Sequence, residues 1–265
     1  MPEGPSIVIL REETASFAGK RVLEVSGNAK IPLERLKGKT IRSFRSWGKH
    51  FLICFDKFYL RVHFLLFGSY RINERRTFPP RMSLLFSNGE LNFYNCSIKF
   101  LEGDPDDTYD WSVDVMSDEW DPRKAKKKLL EKKEGNVSDI LLDQEIFSGS
   151  GNIIKNEILF RIRVHPLSTI GSLPLKKRNE LVKEARNYSF DFYEWKKVFQ
   201  LRKHWQVYKQ KMCPRCDLPL CRTYLGKTSR LTFYCPGCQV YYGNEPPADC
   251  VKSNKRKTSR LKKQA

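Results

Sequence analysis

The sequence predicts an α+β fold in which strands come first, helices follow, and a small metal-stabilised hairpin closes the chain. Three observations carry this. Short apolar runs separated by turn residues fill about residues 20 to 120, Asp121-Pro122 switches the pattern to helix, and two Cys-x-x-Cys pairs stand eighteen residues apart near the end. The expected organisation is a strand-rich domain over 1–120, a helical domain over 121–205, a finger over 206–243 and a basic, disordered tail over 244–265.

The chain opens with Met1-Pro2-Glu3-Gly4-Pro5. Removal of Met1 would leave Pro2 as the amino terminus, and a proline α-amine is secondary. Attack by such an amine on an aldehyde-level carbon gives an iminium, an electron sink with a fixed positive charge. Its neutral, nucleophilic form is accessible because an α-amino group titrates near ~7.7–8.0. Glu3 would stand beside it to shuttle a proton. The competing reading is an ordinary Met-Pro-Glu start. Ile7, Leu10, Thr14 and Phe17 then recur at helical spacing, with Gly19 as a stop, which predicts a helix that pins the amino end to the core.

Two hairpins follow. Residues 51–55 and 58–62 flank Asp56-Lys57, and residues 82–86 and 91–94 flank an Asn88-Gly89 turn. Short strands at this spacing predict a β-sandwich or a barrel. Lys49 follows Gly48 where a strand begins, so its amine could project from a strand end into a cleft; an ordinary surface lysine is the plain alternative.

Asp121 as an N-cap and Pro122 at the first helical position predict a helix closed by Gly135 and crowded with Arg123, Lys124, Lys126, Lys127, Lys128, Lys132 and Lys133, either a solvated face or a gatherer of phosphates. Ile140, Leu141, Leu142, Ile146 and Phe147 predict a buried helix that ends in Ser148-Gly149-Ser150-Gly151. Asn152 is expected to cap the next helix, from Ile153 to about Arg163. A glycine-rich turn that delivers free amides at a helix N-terminus is a ready phosphate site, and Asn152 and Lys155 would add side-chain donors. A plain helix connection is the alternative. A further helical region is expected over about 175–205.

Cys213, Cys216, Cys235 and Cys238 have the spacing of four thiolates that close a tetrahedral zinc site, and so small a segment would need the metal to hold its shape. Two redox pairs or an iron–sulfur site are the alternatives. Arg230 is expected at the hairpin tip. Cys54, Cys96, Cys221 and Cys250 are left as structural or inert thiols, and the tail from Val251 to Ala265 carries seven Lys and Arg.

A formal net charge of +19 on a chain that is 40% hydrophobic and 12% aromatic is a globular composition with a large excess of cation. It points to a polyanionic partner, nucleic acid before a membrane surface. No apolar run approaches the ~20 residues of a spanning helix and no signal peptide is recognisable. The expectation is a soluble intracellular protein, of cytoplasm or nucleoid, without a membrane partner.

Taken together, Met1 to Pro5, Gly48-Lys49, Gly149-Ser150-Gly151-Asn152 and the four-cysteine finger with Arg230 five residues before Cys235 resemble the formamidopyrimidine-DNA glycosylase and endonuclease VIII family, over residues 1 to about 240. The resemblance implies a two-layered β-sandwich with an N-terminal helix, a helix-two-turn-helix domain and a β-hairpin zinc finger, with damaged double-stranded DNA held by a monomer. It implies a bifunctional DNA glycosylase and AP lyase of base excision repair, which excises an oxidised base and cleaves the strand by β,δ-elimination. Carried over, Pro2 is the Schiff-base nucleophile, Glu3 the proton donor and Lys49 a proton donor in β-elimination. Asn152 and Arg230 become phosphate ligands, Arg230 being linked to δ-elimination.

His63 to Gly68 resembles the wedge loop that fills the gap left by an extruded nucleotide, with Leu65, Leu66 and Phe67 as the wedge. The match departs from both branches of the family. Leu65 stands where endonuclease VIII has glutamine, Ser6 replaces a glutamate of its start, and Asp110 falls near one of its DNA-contacting arginines. Ile98 and Phe100 stand where the formamidopyrimidine branch has an Arg that pairs with the orphaned base and a Phe. Oxidised pyrimidines are therefore the expected lesions, with an 8-oxoguanine-type glycosylase as the alternative. A non-catalytic zinc-finger DNA-binding protein and an RNA-binding basic protein would share the charge but would not need Pro2, Glu3 and Lys49 together.

Overall fold

In the computed structural model, which describes residues 2–245, the chain divides into two units, the first ending at Asp118 and the second beginning at Glu119. The tail residues from 246 on, with Cys250, lie outside the described residues.

The first unit opens with α1 (Gly4–Glu13), whose residues 4–10 are all buried. Pro5 fits the first turn because its missing N–H would have no helical partner there. Thr14 ends the helix by donating its hydroxyl to the Leu10 carbonyl (2.8 Å), and Gly19 turns the chain at φ +76°. Eight strands follow: β1 (Glu24–Ser26), β2 (Ser43–Trp47), β3 (His50–Cys54), β4 (Phe58–His63), β5 (Ser69–Ile72), β6 (Met82–Phe86), β7 (Gly89–Tyr94) and β8 (Ser97–Glu102). They form two antiparallel four-stranded sheets, in orders β1-β6-β7-β5 and β2-β3-β4-β8. A sandwich, not a barrel, is the outcome. Its core joins Ile7 and Leu10 of α1 to Phe51, Ile53, Leu60 and Val62 of one sheet and Leu84, Leu91 and Phe93 of the other. The outward side chains Leu52, Cys54 and Tyr59 are covered in turn by Tyr109 and Val113, so β3 and β4 are apolar on both faces.

The second hairpin differs from expectation by one residue. Phe86 pairs with Gly89, so Ser87 and Asn88 make the turn and Gly89 opens β7 at φ +142°, against the Asn73 side chain.

In the second unit α2 (Pro122–Glu131) starts as expected, with Asp121 accepting from the Arg123 N–H (2.7 Å). Ala125 and Leu129 are its buried residues, which leaves the cations outward, but it stops at Glu131, so Lys132 is its C-cap and Lys133 lies beyond it, short of the expected end at Gly135. The buried helix expected over 140–147 is instead the four-residue α3 (Val137–Ile140) followed by turns. Local side chains take over the backbone there. Asp143 accepts from Glu145 N–H, while Gln144 accepts from Gly149 N–H and donates to the Leu142 and Ser150 carbonyls. The next helix, α4 (Asn152–Arg161), is capped by Gly151, and Asn152 is its first residue, not its cap. A long α5 (Leu175–Lys197) packs on α2 and α4. The finger's hairpin, β9 (Cys221–Leu225) and β10 (Arg230–Tyr234), packs on α4.

Candidate functional site

The sequence-derived residues fall into two groups, one in each unit. In the first, Glu3 occupies the N-cap of α1 in an extended conformation and is fully buried, while Pro2 before it stays half-exposed. The free amides of the first helical turn favour a negative charge at this end. Helix α1 packs on β2 and β3, the two strands joined by the turn that carries Lys49. In that turn Gly48 takes φ +52°, a conformation in which a Cβ is strained, and its N–H donates to the Asp114 carboxylate (2.8 Å). Asp114 is almost fully buried and also accepts from Met116 N–H (2.9 Å), so the turn is anchored and half-exposed Lys49 is held at a fixed place on the sheet edge. Asp110, the departure noted above, caps a short helical turn and accepts from the Trp47 indole through its carbonyl (2.9 Å).

Beside Lys49 lies a cluster the sequence reading missed. His50 and His63 face each other across β3 and β4, rings 5.5 Å apart, and Tyr109 meets His50 Nδ1 at 3.3 Å. Burial first, and then the nearby charges of Arg61, Lys49 and Lys99, hold His50 down to about 3, and His63 is lowered by burial and by Lys49 and Arg61. Both imidazoles are therefore neutral at neutral pH, in a positive field suited to an anion. The signal was in the hairpin: the register that pairs Phe51 with Val62 also pairs His50 with His63.

The loop after β4 carries Leu65, Leu66 and Phe67, which are 52%, 51% and 84% exposed. Phe64 anchors the loop in the core, and the Gly68 N–H closes it onto the Phe64 carbonyl (2.7 Å), where a Cβ on residue 68 would collide with that carbonyl. Ile98 points into the sandwich core opposite Val62, away from any ligand outside.

In the second unit the four sulfurs of Cys213, Cys216, Cys235 and Cys238 lie within 4.8 Å of one another, with separations of 3.4 Å and 3.7 Å among them. A zinc–sulfur bond of about 2.3 Å places tetrahedral sulfurs about 3.8 Å apart, close to these values, whereas a disulfide would need about 2.05 Å. The Gly237 and Cys238 N–H groups point at the Cys235 sulfur. Burial raises Cys235 and pushes Cys238 up to about 11, so without a cation these thiols resist ionisation. The donor set fits a metal ion.

Arg230, exposed, flanks the hairpin tip as the first residue of β10. The tip is latched: Lys227 N–H donates to Asp139 (2.9 Å), and Gly226, at φ +78°, lies against the same carboxylate. Asn152 donates its side-chain amide to the carbonyl of Leu231, next to Arg230 (2.9 Å), while its Oδ1 is buried without a hydrogen-bond partner. Lys155 does not fit the phosphate role expected of it. It is fully buried and its ammonium donates to the Thr232 hydroxyl (2.8 Å), a tie between α4 and β10. Two further residues missed in the sequence complete the tie. Asn156 accepts from Phe233 N–H (2.7 Å), and buried Glu157 accepts from the N–H groups of Gln206, Val207 and Tyr208 (2.8–3.1 Å).

Among the described residues no helix is long and apolar enough to cross a membrane. A model of the formamidopyrimidine-DNA glycosylase N-terminal domain matches residues 1–100, and one of the formamidopyrimidine-DNA glycosylase H2TH domain matches residues 112–188. The chain is 36% identical over 206 residues to endonuclease 8-like 2 of Bos taurus, covering 71% of this chain and 60% of that protein. It is 30% identical over 216 residues to endonuclease 8-like 3 of Mus musculus, covering 78% of this chain and 36% of that one. The chain thus spans between about a third and three fifths of the length of these relatives. In fold it is similar to the crystal structure of a viral DNA glycosylase, with a TM-score of 0.78 at 20% identity over 90% of this chain and 100% of that one. It is equally similar to Lactococcus lactis formamido-pyrimidine DNA glycosylase bound to DNA containing an AP site, with a TM-score of 0.78 at 20% identity over 89% and 99%.

Proposed function

The chain belongs to the formamidopyrimidine-DNA glycosylase family, on its endonuclease VIII side, and from that premise we propose that it is a bifunctional DNA glycosylase and AP lyase of base excision repair. The observation that carries the reading is a fully buried Glu3 carboxyl beside a half-exposed Pro2, at the head of a helix packed on the strands that frame Lys49.

Once Met1 is removed, the secondary amine of Pro2 attacks C1′ of the damaged nucleotide. The glycosidic bond breaks and the base leaves; the C1′–O4′ bond of the sugar ring then opens, O4′ takes up a proton, and the new C1′–N bond becomes an iminium. Glu3 shuttles the proton this exchange requires. The iminium withdraws electrons from C2′, so a proton is lost there and the 3′ phosphate departs by β-elimination, with Lys49 as a proton donor. The second elimination releases the 5′ phosphate, gripped by Arg230. Asn152 serves the phosphate site through its amide and by fixing the strand next to Arg230. Cys213, Cys216, Cys235 and Cys238 hold one structural zinc ion. The partner is damaged duplex DNA, bound by an intracellular monomer.

Lesion preference follows from what extrusion demands. Unstacking a nucleotide costs a few kcal/mol, least for a damaged base, and the gap must be filled. Leu65, Leu66 and Phe67 are apolar fillers that make no hydrogen bonds to the opposite base. Ile98, turned inward, reads nothing. Oxidised pyrimidines and abasic sites are therefore the substrates, with weak discrimination among opposite bases.

Borohydride reduction during turnover tests the mechanism: a covalent protein–DNA adduct should map to Pro2 and be lost when Met1 is retained or Pro2→Gly is made. An adduct that persists at Lys49 refutes the nucleophile. Duplexes with thymine glycol, dihydrouracil, an abasic site or 8-oxoguanine opposite each base test the lesion class. A preference of more than about tenfold, or ~1.4 kcal/mol, for 8-oxoguanine opposite cytosine refutes it.

A further inference from the structure

We propose that Val198 and Phe199, just past the end of α5, form a stacking tip that takes an unpaired base of a nucleic acid strand, an inference that rests on the nucleic-acid-binding reading above. Helix α5 ends with Phe199 N–H donating to the Lys196 carbonyl (3.1 Å) and Gln200 N–H to the Trp195 carbonyl (2.8 Å). This pair of bonds places the residue before Gln200 in the left-handed region, a position that glycine usually fills because a Cβ is strained there. Here it is Phe199, at φ +58°. The ring gains no packing within the chain: Phe199 is 97% exposed and Val198 60%. A strained conformation kept for a large apolar side chain that buries nothing points to contact with another molecule.

The surroundings select that molecule. Lys196, Lys197, Arg202 and Lys203 lie within four residues of Phe199, and no Asp or Glu occurs from Trp195 to Cys216. Cations around a single exposed ring are the elements of single-strand recognition, in which lysine and arginine follow the phosphates and an aromatic face takes a base. A membrane surface would call for a broad apolar helix face, and a protein partner for a larger apolar patch, whereas this tip offers one ring and one valine. Paired bases in duplex DNA have their faces covered by their neighbours, so the tip takes an unpaired one.

Affinity for a thymidine homopolymer, and for the same strand annealed to its complement, measured by fluorescence anisotropy with the full chain, tests this. Phe199→Gly and Phe199→Ala should weaken single-strand binding by about tenfold and leave duplex binding unchanged, while Phe199→Trp keeps both. Phe199→Gly should also melt higher than the parent, because glycine relieves the strained φ, so its weaker binding does not come from misfolding. Equal single-strand affinity in the parent and the Gly variant overturns the proposal, as does an equal loss on both probes. A parent that binds only the duplex removes the stacking tip and leaves the proposed function standing; a parent that binds neither removes both.

Discussion

Acidification from about pH 7.5 to about 5.5 should weaken the first unit, with a defined share of the loss coming from the imidazole of His50. An unfolded histidine titrates near 6.5, whereas folded His50 is held down to about 3, first by burial and then by Arg61, His63, Lys49 and Lys99. A depressed folded pKa means that the contribution to stability is present above the unfolded value and is lost as pH falls toward the folded one. At about pH 5.5 the unfolded ring is roughly ten-elevenths protonated and the folded ring neutral, so unfolding gains RT ln 11, about 1.4 kcal/mol. At about pH 7.5 the same expression gives only ~0.1 kcal/mol. His50→Gln abolishes this difference. Hydrogen exchange of β3 and β4 amides at the two pH values reads it directly, because the loss on acidification should be about 1.4 kcal/mol smaller in the variant than in the parent. A parallel NMR titration of the four histidines identifies the group. Titration of His50 near 6.5, or the same loss in parent and variant, would refute this account of the cluster beside Lys49.

Three further outcomes are expected. Cys235→Ser should take bound zinc from one per chain to none, and amide protection should fall in α4 as well as in the finger, because Asn152, Lys155 and Asn156 bond to β10. Glu157→Ala should cost roughly 3 kcal/mol or more in chemical denaturation, since it leaves the Gln206, Val207 and Tyr208 amides without their acceptor, and Glu157→Gln, which keeps one, should cost much less. Arg230→Ala should reduce the slope of log affinity for damaged duplex against log salt by about one and impair strand cleavage more than base excision.

Much of the sandwich was legible because its information is local. Asp56-Lys57 sets the register of β3 and β4 and so brings His50 opposite His63, while the Gly48-Lys49 turn sets that of β2 and β3 and brings Trp47 opposite His50. The four cysteines were legible for a similar reason, their spacing being a geometric demand of one ion. The stretch from Ile140 to Phe147 was not. Its apolar residues are buried as expected, but Asp143 and Gln144 give the backbone other partners, and a hydrophobic pattern does not count that competition.

Lys155 shows where reading the site from residue type fails. A lysine three residues into a helix after a glycine-rich turn looks like a phosphate donor only if its ammonium reaches solvent, and that of Lys155 does not: it is fully buried, deeper than Asn152 at the start of the same helix. The sequence carried the warning, since Ile153, Ile154, Ile158, Leu159 and Phe160 surround the helix on all sides, and polar residues set among them must find partners inside the protein. Each does so at the finger or the segment leading to it: Asn152 at Leu231, Lys155 at Thr232, Asn156 at Phe233 and Glu157 at residues 206–208. The hairpin that presents Arg230 is thereby fixed by a buried helix on one side and by Asp139 at its tip, in addition to any metal. Loss of the metal should therefore loosen the second unit as a whole and not the finger alone.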